Sequence, residues 1–439
     1  MAEHCDALII GAGPAGSATA LRLATLGHRV TLVDKHAFPR DKCCSEYASP
    51  ETLRELDALG VLGVLDAQGW TALQGTSVRG AGGAQLYGRF DDAGVVPYRP
   101  TGMPLPRREL DLAMLRAAAS AGATVHERTR LKTLDRHHDG TMHATLEHPD
   151  GPCEVVARVV IGADGLGSRV ARLKGLRRQG GLQRMAFVAH LSGVSGLQSR
   201  AELHVGRRGY VGLNPIAAER TNVAVVVRAN DAAAARGDAT GFFWQALAHY
   251  PQLAGRVATA QVVREVLVTG PFNVGSRSCT TNGVALVGDA ADFFDPFTGE
   301  GMWTALVGAR LLSGALHPLL LGSEPVGHRA LAPYRRARRR QFAGKWIVER
   351  TIGHAMRWPA LFNGAVRRIE RAGLAGMMIG ISGDFVPAVR MLSPRVLWRL
   401  ATANSERRTE NSEQRAANCE RRTAEVFSRL TTNDSRLHG

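Results

Sequence analysis

Gly11-x-Gly13-x-x-Gly16 and Asp34 are the residues with the clearest chemical use in this 439-residue sequence. Glycines at that spacing let a chain turn tightly, bring bare backbone up to a pyrophosphate, and start a helix pressed against a strand. The unpaired N–H groups at such a helix start, together with its dipole, attract phosphate. Asp34 can accept hydrogen bonds from a ribose. The elements that must position these groups are present. Ala7–Ile10 is an apolar run entering the turn, the stretch from Ala15 to about Leu26 is small and apolar enough for a helix, Gly27 stops it, and Val30–Val33 leads to Asp34. A plain tight turn explains the glycines alone; strand, turn, helix, strand and acid in register make a dinucleotide-binding βαβ unit.

Two later segments have the same form, an apolar strand ending beside glycine: Gly162–Gly165 after Arg158–Ile161, and Gly288–Gly301 after Gly283–Val287. Strands of one parallel sheet end at one edge, so the three segments converge on one extended ligand. No second GxGxxG follows another strand, which favours one large dinucleotide over two. Asp289 can bind a polyol hydroxyl. Gly299 and Gly301 bare a helix start whose positive end can stabilise charge on a planar ring edge, such as the pyrimidine side of a reduced flavin.

Around these segments the chain reads as follows. Phe38-Pro39-Arg40 is a loop, because Pro39 lacks a donor and restricts its neighbour. Ser49 caps a helix that has Pro50 at its first position and ends near Gly60. Residues 75–105 are glycine-rich with short apolar pieces, as in an antiparallel sheet. A helix over about Glu109–Ser120 and a strand at Thr124–Glu127 follow. Leu131–Leu134, Met142–Leu146 and Glu154–Val156 form a small meander. Met185–Val268 is a second antiparallel region with one helical piece, Thr240–His249. A helix runs from about Glu300 to Leu321, and residues 333–400 are helices with basic faces, whose Trp358–Phe362 stripe is expected to pack on the nucleotide domain, with contact to a membrane surface as the alternative. The expected fold class is α/β: a Rossmann-type dinucleotide-binding domain with an inserted antiparallel β substrate domain and C-terminal helices. Residues 1–75, 106–180 and 273–325 form the binding domain, 76–105 and 181–272 the substrate domain, 326–400 the helical region, and 401–439 a polar, mobile tail.

Composition sets limits. The six cysteines lack CxxC spacing, so reduced thiols are expected, with no metal site. The net charge of +16 is nearly all arginine, with lysine only at 35, 42, 132, 174 and 345. No nucleic-acid motif accompanies it, so no nucleic-acid partner is expected. The run Arg335–Arg340 reads as a solvated helix face. Leu306–Leu321 is interrupted by Arg310, His317 and Pro318, which argues against a spanning helix. No secretory signal precedes the first strand, so a cytoplasmic location is expected, peripheral at a membrane at most.

The ordered set GxGxxG…Asp34, Phe38-Pro39-Arg40…Cys44-Ser45-Glu46, Arg107-x-x-Leu110-Asp111, Gly162-Ala-Asp164-Gly165 and Gly288-Asp289…Thr298-Gly299-Glu300-Gly301 resembles the FAD-dependent aromatic hydroxylase (monooxygenase) superfamily, and within it the geranylgeranyl reductase-like branch. The resemblance covers about residues 5–320 and extends toward 400. It implies FAD, with Gly11, Gly13, Ala15 and Gly16 at the pyrophosphate, Asp34 at the adenosine ribose and Leu131 at the adenine. It implies that Arg40 and Arg107 contact the cofactor and that the Cys44–Ser45 backbone lies near the ring. Asp164 and Gly165 belong to a motif serving pyrophosphate and pyridine nucleotide, Asp289 meets the ribitol, and Gly299, Gly301 and Met302 face the pyrimidine edge. The family's Cys-Gly-Glu is Cys44-Ser45-Glu46 here, after an extra Cys43. An aromatic-rich segment of prenyl reductases corresponds to Gly209–Pro215, which has Tyr210 but no tryptophan.

Reduction of a carbon–carbon double bond in a lipophilic prenyl or polyketide-like molecule is the leading reading, with NAD(P)H or a reductase protein as electron donor. Hydroxylation of an aromatic or polyketide substrate is the alternative, and a non-catalytic flavin-binding protein a second one. Halogenation is disfavoured: no lysine lies between Lys42 and Lys132, and no two tryptophans form a W-x-W pair. Cys44 and Glu46 are weak catalytic candidates. Cys44 is more simply an inert half-buried thiol, and Glu46 can merely pair with Arg40. His190, His204 and His249 read as structural or surface residues.

Overall fold

The computed structural model describes residues 2–403; the expected tail beyond 403, with Cys419, lies outside the described residues. Strand β1 (Glu3–Ile10) enters helix α1 (Pro14–Thr25) through the glycine turn, with Pro14 at the first helical position, and β2 (Val30–Val33) is buried along its whole length. Helix α2 (Pro50–Asp57) starts at Ser49, whose Oγ accepts from the Thr52 N–H. Strands β3 (Gly75–Arg79) and β4 (Gln85–Arg89) form a hairpin, and helix α3 (Arg107–Ser120) returns the chain to β5 (Thr124–His126). Next come β6 (Arg130–Arg136), β7 (Met142–His148) and β8 (Gly151–Gly162), then β9 (Arg184–Ser192), β10 (Ala201–Val205), β11 (Gly209–Ala217) and β12 (Arg220–Arg228). Helix α4 (Ala239–Leu247), β13 (Gln261–Thr269), β14 (Val284–Leu286) and the long α5 (Gly301–Leu321) follow. Helices α6 (Ala332–Ala355), α7 (Pro359–Arg371), α8 (Ala375–Ser382) and α9 (Pro394–Thr402) close the described chain.

The first sheet runs β14-β8-β1-β2-β5 with parallel neighbours, and β7 and β6 add antiparallel strands beside β8. Alternation along β1 explains its burial on both sides. Ala7 and Ile9 join one core with α1, α5 and Tyr334 of α6, while Leu8 and Ile10 join another with Leu131, Met142 and Val160. Burial of each large aliphatic side chain here stabilises by ~1.5–3 kcal/mol. The second sheet runs β13-β9-β12-β11-β10-β3-β4. Its period-2 alternation sends Phe187, Val223 and Val225 to a core under α4, and Val188 and Val226 to the opposite face.

Two local expectations change. The segments at Glu154–Val156 and Arg158–Ile161 are one strand, β8. Arg158 does not interrupt it, because its guanidinium leaves the apolar run to donate to the carbonyls of Leu319, Leu320 and Glu324 at the end of α5. Helix α5 keeps the expected extent, with Arg310, His317 and Pro318 inside it. Arg310 pairs with Glu55 at 3.0 Å, and His317 Nδ1 lies 2.8 Å from His28 Nε2. By length and composition α5 can cross a bilayer, yet half of its apolar window is buried inside the protein. The Trp358–Phe362 stripe splits: Phe362 is buried against the second sheet's cluster, whereas Trp358 and Leu361 are exposed.

Candidate functional site

Because β1, β8 and β14 are neighbours in register, with Ile10 beside Gly162 and Gly162 beside Leu286, their C-terminal ends open onto one edge. At Gly11, φ is +102° and a Cβ would lie 2.6 Å from the Ala163 carbonyl oxygen, so glycine is required on both counts. A Cβ at Gly16 would lie 1.8 Å from the Gly11 carbonyl oxygen; this glycine seats α1 on β1. No side chain caps the start of α1, leaving its first N–H groups directed into a cavity of about 720 Å³. Gly11, Gly13, Ala15, Asp34, Arg40, Cys44, Ser45, Arg107, Leu131, Asp164, Gly165, Asp289, Gly299, Gly301 and Met302 all line that cavity. Gly16 and Glu46 do not.

The charged end is tightly wired. Asp34 Oδ2 accepts from the Ala12 N–H at 2.8 Å and Oδ1 from the His36 N–H at 2.9 Å, so this carboxylate shapes the glycine turn as well as facing the cleft. Arg107, at the first position of α3, grips fully buried Asp111 with both arms, Nε to Oδ1 at 2.8 Å and Nη2 to Oδ2 at 2.7 Å. Arg40 Nη1 reaches the same carboxylate at 3.0 Å. Arg40 therefore pairs with Asp111, and more loosely with Asp34 at 3.8 Å, rather than with Glu46. Both guanidiniums overlook Gly13, where a Cβ would lie 3.7 Å from Arg107 Nη2 and 4.0 Å from Arg40 Nη2.

Lys42 was not legible as a site residue. Its Nζ would lie 3.5 Å from a Cβ at Gly165, across the cleft, and burial, followed by the Arg107 charge, pulls its ammonium below the usual lysine range. The available signal was its rarity in an arginine-rich chain. Asp164 Oδ2 accepts from the Arg169 and Val170 N–H groups while the buried Oδ1 has no partner, and burial raises this carboxyl. Burial also raises Asp289, against the opposing pull of Lys42.

The Cys44–Ser45 backbone hangs from the second sheet: Asn222 Nδ2 donates to the Cys44 carbonyl at 2.9 Å and Asn214 Nδ2 to that of Ser45 at 3.1 Å. Cys43 is half-buried near the Leu267 carbonyl, and desolvation pushes its thiol up to about 12, which makes it a poor nucleophile. Glu46 has φ of +56° and turns its carboxylate behind the cleft wall. There it meets His190 Nε2 at 2.7 Å, accepts from the Arg107 N–H at 3.3 Å, and lies 3.9 Å from Arg264. It is a positioning residue joining the loop to β9 and α3. His190 is thus buried and structural, and His204 is buried against Glu202 at 2.9 Å.

At the other end, Gly299 takes φ of +75° with Tyr47 against it, and Gly301 and Met302 begin α5. Glu300 is 2% exposed; its Oε2 accepts from Ser49 Oγ at 3.0 Å and its Oε1 has no partner. Lys345 of α6 sits among acids, 2.5 Å from Asp384 and 3.9 Å from Glu349, and Thr298 Oγ1 donates to Glu349 at 3.5 Å. These partners come from the C-terminal helices and were not foreseen. Burial drives Glu300 well above the carboxylate range and raises Glu349 to about 7 and Asp384 to about 6, with Lys345 opposing each. A carboxyl raised in the fold keeps a proton that the unfolded chain releases. Stability therefore falls as pH rises between the ordinary 4.5 and about 7 of Glu349, by up to ~1.4 kcal/mol per pH unit for one proton. Urea unfolding across that window is expected to show this slope in the wild type and a flatter one in E349Q.

Past Thr298 the same cavity becomes apolar, walled by Val188, Leu203, Val226, Phe272, Phe293 and Phe297. Tyr210 supplies a hydroxyl there, donating to Asp295 Oδ1 at 2.6 Å, and Asp295 is held by Arg184 at 2.5 Å.

A family profile described as FAD binding domain matches residues 4–348. The chain is 30% identical over 314 residues to digeranylgeranylglycerophospholipid reductase 2 of Methanopyrus kandleri, covering 70% of this chain and 75% of that protein. It is 29% identical over 329 residues to the digeranylgeranylglycerophospholipid reductase of Methanosarcina mazei, covering 72% and 76%. Among solved structures, CmlS, a flavin-dependent halogenase, superposes with a TM-score of 0.74 at 24% identity over 90% of this chain and 77% of its own, a likeness of fold.

Proposed function

The chain belongs to the FAD-binding domain family of flavin-dependent oxidoreductases, and on that premise we propose that it reduces carbon–carbon double bonds in a prenyl-type, lipophilic small molecule. The observation that carries this reading is the two-part cavity, in which an anion-binding half runs without a break into an apolar half at Thr298–Met302. Similarity to two digeranylgeranylglycerophospholipid reductases supports it.

The anionic half fits FAD by its own chemistry. An uncapped helix start, the arginine pair over Gly13, unpaired Lys42 and the unfilled Asp164 oxygen are what a diphosphate, its ribose and its polyol would satisfy. In this reading Gly11, Gly13, Ala15, Arg40, Lys42 and Arg107 hold the pyrophosphate, and Gly16 seats α1 behind them. Asp34 takes the adenosine ribose, Leu131 borders the adenine, and Asp164 and Asp289 take hydroxyls. The Cys44–Ser45 backbone, Gly299, Gly301 and Met302 border the ring. Bound FAD supplies two-electron transfer as hydride. The chain excludes water from the apolar half with its valine, leucine and phenylalanine wall, and Asn214 and Asn222 fix the Cys44–Ser45 backbone that lines the cavity. NAD(P)H or a reductase protein is the proposed electron donor.

Anaerobically reduced protein mixed with a geranylgeranyl ether lipid is expected to reoxidise and to return lipid that has gained two hydrogens at each reduced double bond. Product that instead gains oxygen, only in air, overturns the reductase in favour of hydroxylation.

A further inference from the structure

Residues 331–403 hold fourteen Arg and Lys against three Asp and Glu, a net +11 of the chain's +16. Arg338 and Lys345 are buried in ion pairs with Asp292 and Asp384, and most of the other arginines are exposed, interleaved with large apolar side chains left in solvent. Trp358 and Leu361 of α7 are 56% and 59% exposed, Trp398 of α9 is 67% exposed, and Ile347 of α6 and Val389 between α8 and α9 are more than half exposed. Arg357 lies beside Trp358, and Arg395 and Arg399 flank Trp398 on α9. The helices are held together at this surface, because Arg368 of α7 donates to the Ala401 carbonyl at 2.8 Å and Arg399 to that of Gly373 at 3.1 Å.

Helix α7 has a second, inward face. Phe362 and Val366 pack in the cluster that contains Val226 and Phe272, two walls of the apolar half-cavity. One short helix thus packs its inner face on the cluster behind the apolar wall and on the Gly80–Gly82 turn, and shows tryptophan, leucine and arginine to solvent on the other face.

We propose that the outer face of α7 and α9, with Ile347 and Val389 beside them, docks this protein on the surface of an anionic lipid bilayer. Arginine alone would suit any polyanion, but a nucleic acid gives exposed Leu361, Ile347 and Val389 nothing to bind. A bilayer interface uses both classes, seating tryptophan and aliphatic side chains at the acyl boundary and guanidiniums among lipid phosphates. The position extends the reading above, since a prenyl lipid would meet the protein at a helix that packs on the same cluster as Val226 and Phe272, yet docking itself needs neither flavin nor turnover.

The test is flotation of the full chain with vesicles of phosphatidylcholine alone or mixed with phosphatidylglycerol, at low and high salt, scored by protein recovered. Binding is expected to the mixed vesicles, weakened by salt, and at least ~10-fold lower for W358S/L361S/W398S. R357Q/R395Q is expected to lose affinity for the mixed vesicles while melting at the wild-type temperature, since both arginines are exposed. Failure of the wild type to float with anionic vesicles overturns the proposal. So does a serine variant that floats as well as wild type, because the surface would then be a general polyanion patch. Loss of reductase activity with vesicle binding intact would count only against the reaction proposed above.

Discussion

Asp111→Ala is expected to destabilise the protein by ~3–5 kcal/mol and to strip its flavin, because it removes the shared counter-ion of two buried guanidiniums. Asp111 is fully buried, and the side chains of Arg107 and Arg40 are 7% and 12% exposed, so neither cation can recover its hydration in place. A loss of that size is a large part of the ~5–15 kcal/mol that holds a domain folded. Urea midpoints and the flavin-to-protein absorbance ratio read the two effects separately. R107M/D111L separates them further. An apolar pair of similar volume recovers part of the stability, since Arg40 keeps Asp34, but it cannot restore a cation over Gly13. Full flavin occupancy in R107M/D111L would remove Arg107 from the cofactor site.

Val226→Trp is expected to abolish turnover while leaving the cofactor bound. Val226 is 1% exposed on β12 and lines the cavity with Val188, Phe272 and Phe293. An indole there fills the space given to a prenyl chain, at an overpacking cost of ~1–3 kcal/mol. Reoxidation of the reduced protein by a prenyl lipid is expected to slow at least ~100-fold, equivalent to ~2.7 kcal/mol, with flavin content and reduction by the donor unchanged. V226A, which enlarges the same space, is expected to retain turnover. Undiminished reduction of the lipid by V226W would place the substrate elsewhere.

The glycine-turn end of the cleft was legible in the sequence because its determinants are local. Gly11, Gly13, Gly16 and Asp34 work through backbone geometry within one βαβ unit, and glycine's requirement for positive φ or close approach does not depend on distant neighbours. The convergence of residues 11–16, 162–165 and 288–301 was also foreseeable, because parallel strands share an edge. Side-chain partners reached across long sequence separations were not. Asp111 collecting Arg107 and Arg40, Glu46 turning from the cleft to His190, and Lys345 placed among Glu349, Asp384 and the start of α5 are joined only by packing. Residue type alone gave Glu46 a carboxylate's chemistry; φ of +56° and the position of β9 send that carboxylate behind the wall. The stripe from Trp358 to Phe362 makes the same point. Helical spacing says that some of it must be buried, but only the second sheet's position decides that Phe362 is buried against its cluster while Trp358 and Leu361 face out. Sequence by itself determined the strand, glycine turn and helix start at Gly11–Gly16, and tertiary structure decided which charges share a counter-ion and which apolar residues meet water, since both depend on what lies across the fold.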